Sequence, residues 1–161
     1  MKFRNKNLLI TGGSGFIGSN FIRFILEKYD NINVYNVDKL TYAGTVENTK
    51  EFIENSNYRF IEADICDITT ISKLFLEFDI DGVINFAAES HVDNSISNPE
   101  LFIKTNVNGV FNLLSIAYKS WHIGPFKLKD QFKHARFHQV STDEVFGSIT
   151  KGSFKESDPY K

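Results

Sequence analysis

Asn7-Leu8-Leu9-Ile10-Thr11-Gly12-Gly13-Ser14-Gly15-Phe16-Ile17-Gly18 is an apolar run that breaks into glycines, and Ser19-Asn20-Phe21-Ile22-Arg23-Phe24-Ile25-Leu26 follows it. Leu8 to Ile10 read as a strand, the glycines as a tight turn, and Phe21, Ile22, Phe24 and Ile25 as the apolar face of a helix. Strand, turn and helix in that order make the first half of a βαβ unit. Such a helix starts with unpaired N–H groups and the positive end of its dipole, both suited to a phosphate. Glycine permits the tight turn, the approach of backbone to a pyrophosphate, and close packing of helix on strand. Gly13, Gly15 and Gly18 fit G-x-G-x-x-G, while Gly12, Gly15 and Gly18 fit T-G-x-x-G-x-x-G; the spacing does not choose between them.

A glycine-rich turn alone is a weak sign, because such turns also close ordinary α/β loops. Here the surroundings are the required ones. Asn33-Val34-Tyr35-Asn36-Val37 reads as a second strand, and Asp38 ends it 20 residues past Gly18. A dinucleotide fold places at that point the carboxylate that accepts from the adenosine ribose hydroxyls. The same carboxylate repels a 2′-phosphate, so NAD is expected in preference to NADP, with Lys39 beside it softening the repulsion.

The chain has 161 residues, 42% of them hydrophobic, enough to bury one core and too few for two ordinary domains. Acids and bases are interspersed and the formal net charge is −2, unlike the one-sided basic field of a nucleic-acid binder. Cys66 is the one cysteine, so no internal disulfide forms, and no Cys/His spacing of the zinc type occurs. Its simplest role is that of a small buried apolar residue. Lys2, Arg4 and Lys6 precede an apolar run far too short for a signal-peptide core, and no stretch has the length of a membrane span. A soluble cytoplasmic protein without nucleic-acid or membrane partners is expected. The 16 phenylalanines are expected mainly in the core.

Along the chain, Lys39 to Gly44 is a loop and Thr45 to about Asn55 a short helical segment. Tyr58 to Glu62 is a third strand that delivers Asp64 to its end, where an open parallel sheet faces its ligand crevice. Asp64 is thus either a partner for an adenine amino group or the N-cap of the next helix, a job that Asp67 or Thr69 could also do. Ile71, Leu74, Phe75 and Phe78 recur at helical spacing up to about Asp79. Gly82 to Phe86 is a fourth strand leading into Ala87-Ala88-Glu89-Ser90-His91, whose alanines allow a flat ring to come close or simply pack. Pro99 suits the first turn of a long helix that runs to about Tyr118. Thr105 and Asn106 put polar groups on that helix's expected inner face, a hint of the crevice. Trp121 to Lys133 reads as a surface insertion, and Arg136 to Val140 as the fifth strand. The alternation of strands and helices demands an α/β, Rossmann-type doubly wound parallel sheet with strand order 3-2-1-4-5 and helices on both faces.

The fifth strand empties into Ser141-Thr142-Asp143-Glu144. That places a hydroxyl and two carboxylates beside the nicotinamide half of a dinucleotide lying across the sheet's switch point. Burial and mutual repulsion drive adjacent carboxylates to different pKa values, so that one donates and the other accepts a proton. The alternative is a capping box, since Ser141-x-x-Glu144 has that spacing, although Val145-Phe146-Gly147 leaves little helix to cap. The four histidines are scattered without metal spacing, and only His91 lies at a crevice strand end.

Thr11 to Gly18, Asp38-Lys39-Leu40-Thr41-Tyr42-Ala43-Gly44, Ala63-Asp64-Ile65-Cys66-Asp67, Ala87 to Asp93 and Ser141 to Gly147 together resemble the dTDP-glucose 4,6-dehydratases, extended short-chain dehydrogenases. The resemblance implies NAD as cofactor, held by Gly12, Gly15, Phe16, Ile17, Gly18, Asp38, Lys39, Leu40, Thr41, Asp64, Ile65, Phe86, Ala87, Ala88, Glu89, Ser90 and Thr105. Ser90 and Thr142 would also meet a sugar-nucleotide substrate, with Asp143 as general acid and Glu144 as general base. It implies oxidation at C4, removal of the C5 proton, loss of water from C6 and return of the hydride to C6, a net lyase reaction. By the resemblance, the family's Tyr-x-x-x-Lys pair and sugar-nucleotide lobe are expected shortly after residue 161, since Tyr160 and Lys161 are adjacent and cannot be that pair. The chain is therefore expected to be an N-terminal fragment of a homodimeric enzyme, inactive alone. A related sugar-nucleotide epimerase, which typically lacks the adjacent Asp-Glu, and a non-catalytic NAD-binding module are the alternatives.

Overall fold

The computed structural model describes residues 4–161; Lys2 of the basic N-terminus lies outside the described residues. Strands β1 (Asn7–Thr11), β2 (Asn33–Asp38), β3 (Tyr58–Glu62) and β4 (Gly82–Asn85) alternate with helices α1 (Phe16–Lys28) and α2 (Ile68–Glu77), with a 3-10 segment at Val46–Phe52. Next come α3 (Val92–Ser97) and a long helix in three parts, α4 (Pro99–Phe102), a π-helical stretch (Ile103–Gly109) and α5 (Val110–Trp121). Strands β5 (His122–Gly124) and β6 (Lys127–Leu128) form a small antiparallel hairpin before β7 (Arg136–Gln139). The main sheet is parallel with order β3-β2-β1-β4-β7, the expected topology with β7 as its fifth strand.

The period of two along each strand splits the core between the two faces. Leu8, Ile10 and Val34 point to α1, where Ile22 and Ile25 meet them together with Phe52 and Tyr58. Leu9, Val37 and Val83 point the other way, to Ile71, Leu74 and Phe75 of α2 and Leu113, Ile116 and Trp121 of α5. Each fully buried Leu or Ile contributes about 1.5–3 kcal/mol by leaving water. Helices therefore cover both faces.

The phenylalanine expectation needs correcting. Phe52, Phe75 and Phe132 are buried, whereas Phe16, Phe24, Phe111 and Phe126 stand exposed. Phe24 follows buried Ile22 by two positions, which turns it to the outer side of α1. The segment after Trp121 is no mere surface insertion either. Trp121 and Phe132 are buried in the α2–α5 core, Leu128 packs against it, and the Trp121 indole N–H donates to the Ile80 carbonyl at 2.7 Å. Aromatic anchors at both ends hold the hairpin down.

Asp67 caps α2: its carboxylate accepts from the backbone N–H groups of Thr69 and Thr70 and from the Thr70 hydroxyl. These bonds favour its ionised form and lower its pKa. Asp64 is thereby left to other partners. Cys66 is half-buried rather than buried; its thiol lies 3.2 Å from the Lys104 carbonyl, and desolvation followed by the Asp64 carboxylate pushes its pKa up.

Candidate functional site

β1, β4 and β7 run parallel and in register, so that Thr11, Asn85 and Gln139 stand in one row at their C-terminal ends. The row is hydrogen-bonded across the sheet, Thr11 Oγ1 to Asn85 Oδ1 and Asn85 Nδ2 to Gln139 Oε1 at 2.8 Å. The glycine turn, the Phe86–Ser90 segment and Ser141–Glu144 therefore leave the sheet along the same edge.

Gly12 must be glycine on two grounds. Its φ is +69°, and a Cβ built there would lie 2.6 Å from the Ala87 amide nitrogen, so only glycine fits. A Cβ at Gly18 would meet the Gly12 carbonyl oxygen at 2.3 Å, which is how closely α1 sits on the turn. Gly13 is closely packed too, its Cβ position lying 2.7 Å from Ile22 Cδ1, so both glycine patterns are met and only Gly12 adds a positive φ. Gly15 precedes α1 without giving its first turn a side-chain cap.

The turn is latched to β2 and the following loop. The Asp38 carboxylate accepts from Ser14 N at 3.0 Å and Leu40 N at 2.8 Å. Ser14 O accepts from Thr45 N at 3.1 Å and Asn48 Nδ2 at 2.8 Å, while buried Asn36 donates to Ser14 Oγ and the Tyr58 hydroxyl. Sequence reasoning missed Asn36 and Asn48. A buried asparagine in the Val-Tyr-Asn-Val run, where an apolar residue belongs, was the available signal.

Between these elements lies an open depression walled by Gly12, Gly15, Asp38, Lys39, Thr41, Asp64, Ile65, Phe86, Ala87, Ala88, Glu89 and Thr105 among others. Twelve of the seventeen expected contacts line it. Phe16 and Ile17 project outward at 82% and 63% exposure, and Gly18, Leu40 and Ser90 lie outside the wall. Leu40 has φ +54°, a left-handed kink that turns the backbone just after Lys39. The π-helical stretch brings buried Thr105 to the depression, while Asn106 holds the Glu89 backbone through two bonds of 2.8 Å, to its N–H and from its own amide to the carbonyl. π turns are found disproportionately at such sites.

Thr142, Asp143 and Glu144 occupy the start of a 3-10 turn spanning Asp143–Phe146, outside the depression. Both carboxylates are exposed, so the burial expected to separate their protonation states is not present. Thr142 is the N-cap and makes no side-chain cap bond; its hydroxyl donates to Glu144 Oε2 at 3.4 Å, and no Ser141 capping box forms. The tail folds back over this turn, with Phe146 stacked on Phe154 at 5.2 Å and the Lys161 amide donating to the Val145 carbonyl. His91 is exposed and meets Tyr42 edge-on at 6.4 Å. Among the described residues no His/Cys/Asp/Glu group could hold a metal ion, and no helix is long and apolar enough to cross a membrane.

Sheet order, glycine turn and the acid ending β2 define a Rossmann-type domain of the kind that holds dinucleotides. The family model described as GDP-mannose 4,6 dehydratase matches residues 9–161, and the chain belongs to that family. It is 43% identical over 157 residues to a dTDP-glucose 4,6-dehydratase of Neisseria gonorrhoeae, which covers 96% of this chain and 44% of the relative. Two solved dTDP-glucose 4,6-dehydratases are similar in structure. That of Bacillus anthracis in complex with NAD has a TM-score of 0.79 at 36% identity, covering 97% of this chain and 44% of the other. That of Streptomyces venezuelae, with NAD and a second ligand bound, has a TM-score of 0.81 at 38% identity, covering 96% and 45%. The chain thus spans a little under half the length of these relatives.

Proposed function

We propose that the chain is the NAD-binding part of a dTDP-glucose 4,6-dehydratase. One observation carries this reading: the in-register row Thr11, Asn85, Gln139 sends the glycine turn and Thr142-Asp143-Glu144 off the same edge of the sheet. A dinucleotide gripped at the turn then reaches the carboxylates with its far end. The depression suits the cofactor: Gly12 leaves backbone open to a pyrophosphate, Asp38 faces the adenosine ribose, and Asp64 and Ile65 face the adenine. NAD supplies the acceptor and donor of hydride. Glu144 takes the C5 proton of the sugar, Asp143 protonates the departing C6 hydroxyl, and Thr142 orients the substrate. Substrate lying over the exposed pair would remove water from it, the burial that acid and base roles on adjacent carboxyl groups require. Val107, Phe111, Leu114 and Tyr118 form an exposed apolar stripe at helical spacing, which supports pairing with a second copy through this helix.

Calorimetric titration with NAD and NADP tests the reading. NAD is expected to bind more tightly, and Asp38→Ala to weaken NAD about ten- to a hundredfold, the worth of hydrogen bonds to a charged acceptor. Equal affinity for the two cofactors in the parent protein overturns the role of Asp38. The polypeptide of residues 1–161 is expected to form no keto-sugar from dTDP-glucose, followed by chromatography of the products; measurable turnover contradicts the proposal that further residues complete the site.

A further inference from the structure

Lys39 stands next to the acid that rejects a 2′-phosphate, in a position where an ammonium group would be expected to welcome one. The structure turns it elsewhere. Its Nζ lies 3.7 Å from Asp64 Oδ2, 3.7 Å from Glu89 Oε1 and 3.4 Å from Thr105 Oγ1, so its three donors face three acceptors across the depression. The left-handed backbone at Leu40 and the two hydrogen bonds between the Asn106 amide and the Glu89 backbone fix the two ends of this bridge.

The partners are unequal. The side chain of Glu89 is 3% exposed, against 31% for Asp64, and Glu89 Oε2 has no hydrogen-bond partner. A buried carboxylate demands a counter-charge far more strongly than one in contact with water. Asp64 would tolerate the loss of Lys39; Glu89 would not. The geometry points to Glu89 as a specificity-determining residue, whose buried charge keeps Lys39 away from the ribose end and so preserves the preference for NAD over NADP. This inference rests on the NAD reading above and extends it from Asp38 to a residue on the opposite wall. Asp38 repels the extra phosphate, and Glu89 withholds a neighbouring cation that would offset that repulsion.

The test is the ratio of NAD to NADP dissociation constants, measured calorimetrically for four proteins. Glu89→Gln keeps the shape and removes the charge, and is expected to shift the ratio toward NADP by about tenfold, one charge-assisted hydrogen bond from the released Lys39. The double variant Lys39→Gln/Glu89→Gln is expected to restore the parent ratio, because no cation remains to be released. Asp64→Asn makes the same change of charge beside Lys39 but leaves Glu89 in place; it is expected to weaken both cofactors equally. An unchanged ratio in Glu89→Gln with NAD binding retained overturns the inference alone. So does an equal shift in Asp64→Asn, or a shift that survives in the double variant. If Glu89→Gln fails to melt cooperatively, the neutral double variant decides: a ratio shifted further toward NAD shows that Lys39 already serves the phosphate and overturns the inference. A parent that binds neither cofactor overturns the NAD reading itself, and the inference falls with it.

Discussion

Gly12→Ala is expected to destabilise the protein by about 2–5 kcal/mol, the sum of a left-handed alanine and an overpacked contact. At φ +69° an alanine pays the steric cost of its Cβ against its own backbone. That Cβ also lands 2.6 Å from the Ala87 nitrogen and 2.8 Å from its Cα, and backbone, unlike the end of a flexible side chain, cannot swing aside. Relief requires the glycine turn and the Phe86–Glu89 segment to part, which widens the depression from both sides, so NAD affinity is expected to fall as well. Chemical denaturation measures the first effect and titration the second. Gly124→Ala is the control, since nothing lies within 4 Å of its Cβ position and its φ is not positive. It is expected to change stability by less than about 0.5 kcal/mol.

Trp121→Ala is expected to cost about 3–5 kcal/mol, the usual loss for a large buried aromatic. Trp121 is 5% exposed, lies 6.0 Å from the Phe75 ring, and sits in one cluster with Phe132 and Ala135. Truncation leaves a cavity between α2 and α5 and strips the Ile80 carbonyl of its buried donor. Ile80 directly precedes the turn into β4, so the loss loosens the strand that carries Ala87 and Glu89. Trp121→Phe, which keeps a buried ring but loses the N–H and part of the indole's volume, is expected to cost less, about 1–2 kcal/mol. Equilibrium denaturation of the three proteins separates packing from the hydrogen bond.

The architecture was legible because the determining signals are local and periodic. A continuous apolar run marks β1, Val34, Tyr35 and Val37 mark β2, Ile71, Leu74 and Phe75 mark α2, and these patterns need no distant partner to be read. Asp38 and the glycines were legible because they stand at the spacing a dinucleotide fold gives its turn and the acid that follows. What escaped depends on contacts remote in sequence. Trp121 and Phe132 flank a polar segment with two lysines, Lys127 and Lys129, and only their meeting with Phe75 and Ile80 reveals the hairpin as a clamp. Glu89 carries nothing in its neighbourhood to announce burial; it is buried because Asn106, 17 residues on, holds its backbone and Lys39 balances its charge. Asp143 and Glu144 showed the reverse error, because adjacent carboxylates at a strand end were expected in a buried cleft and the chain places them in solvent.

A crystal structure of this chain with NAD tests the central proposition most directly. The expected density places the pyrophosphate over Gly12 to Gly15, the adenosine between Asp38 and Asp64, and the nicotinamide toward Thr142. A dinucleotide bound away from the glycine turn, or running from it in the direction opposite to Asp143 and Glu144, contradicts it.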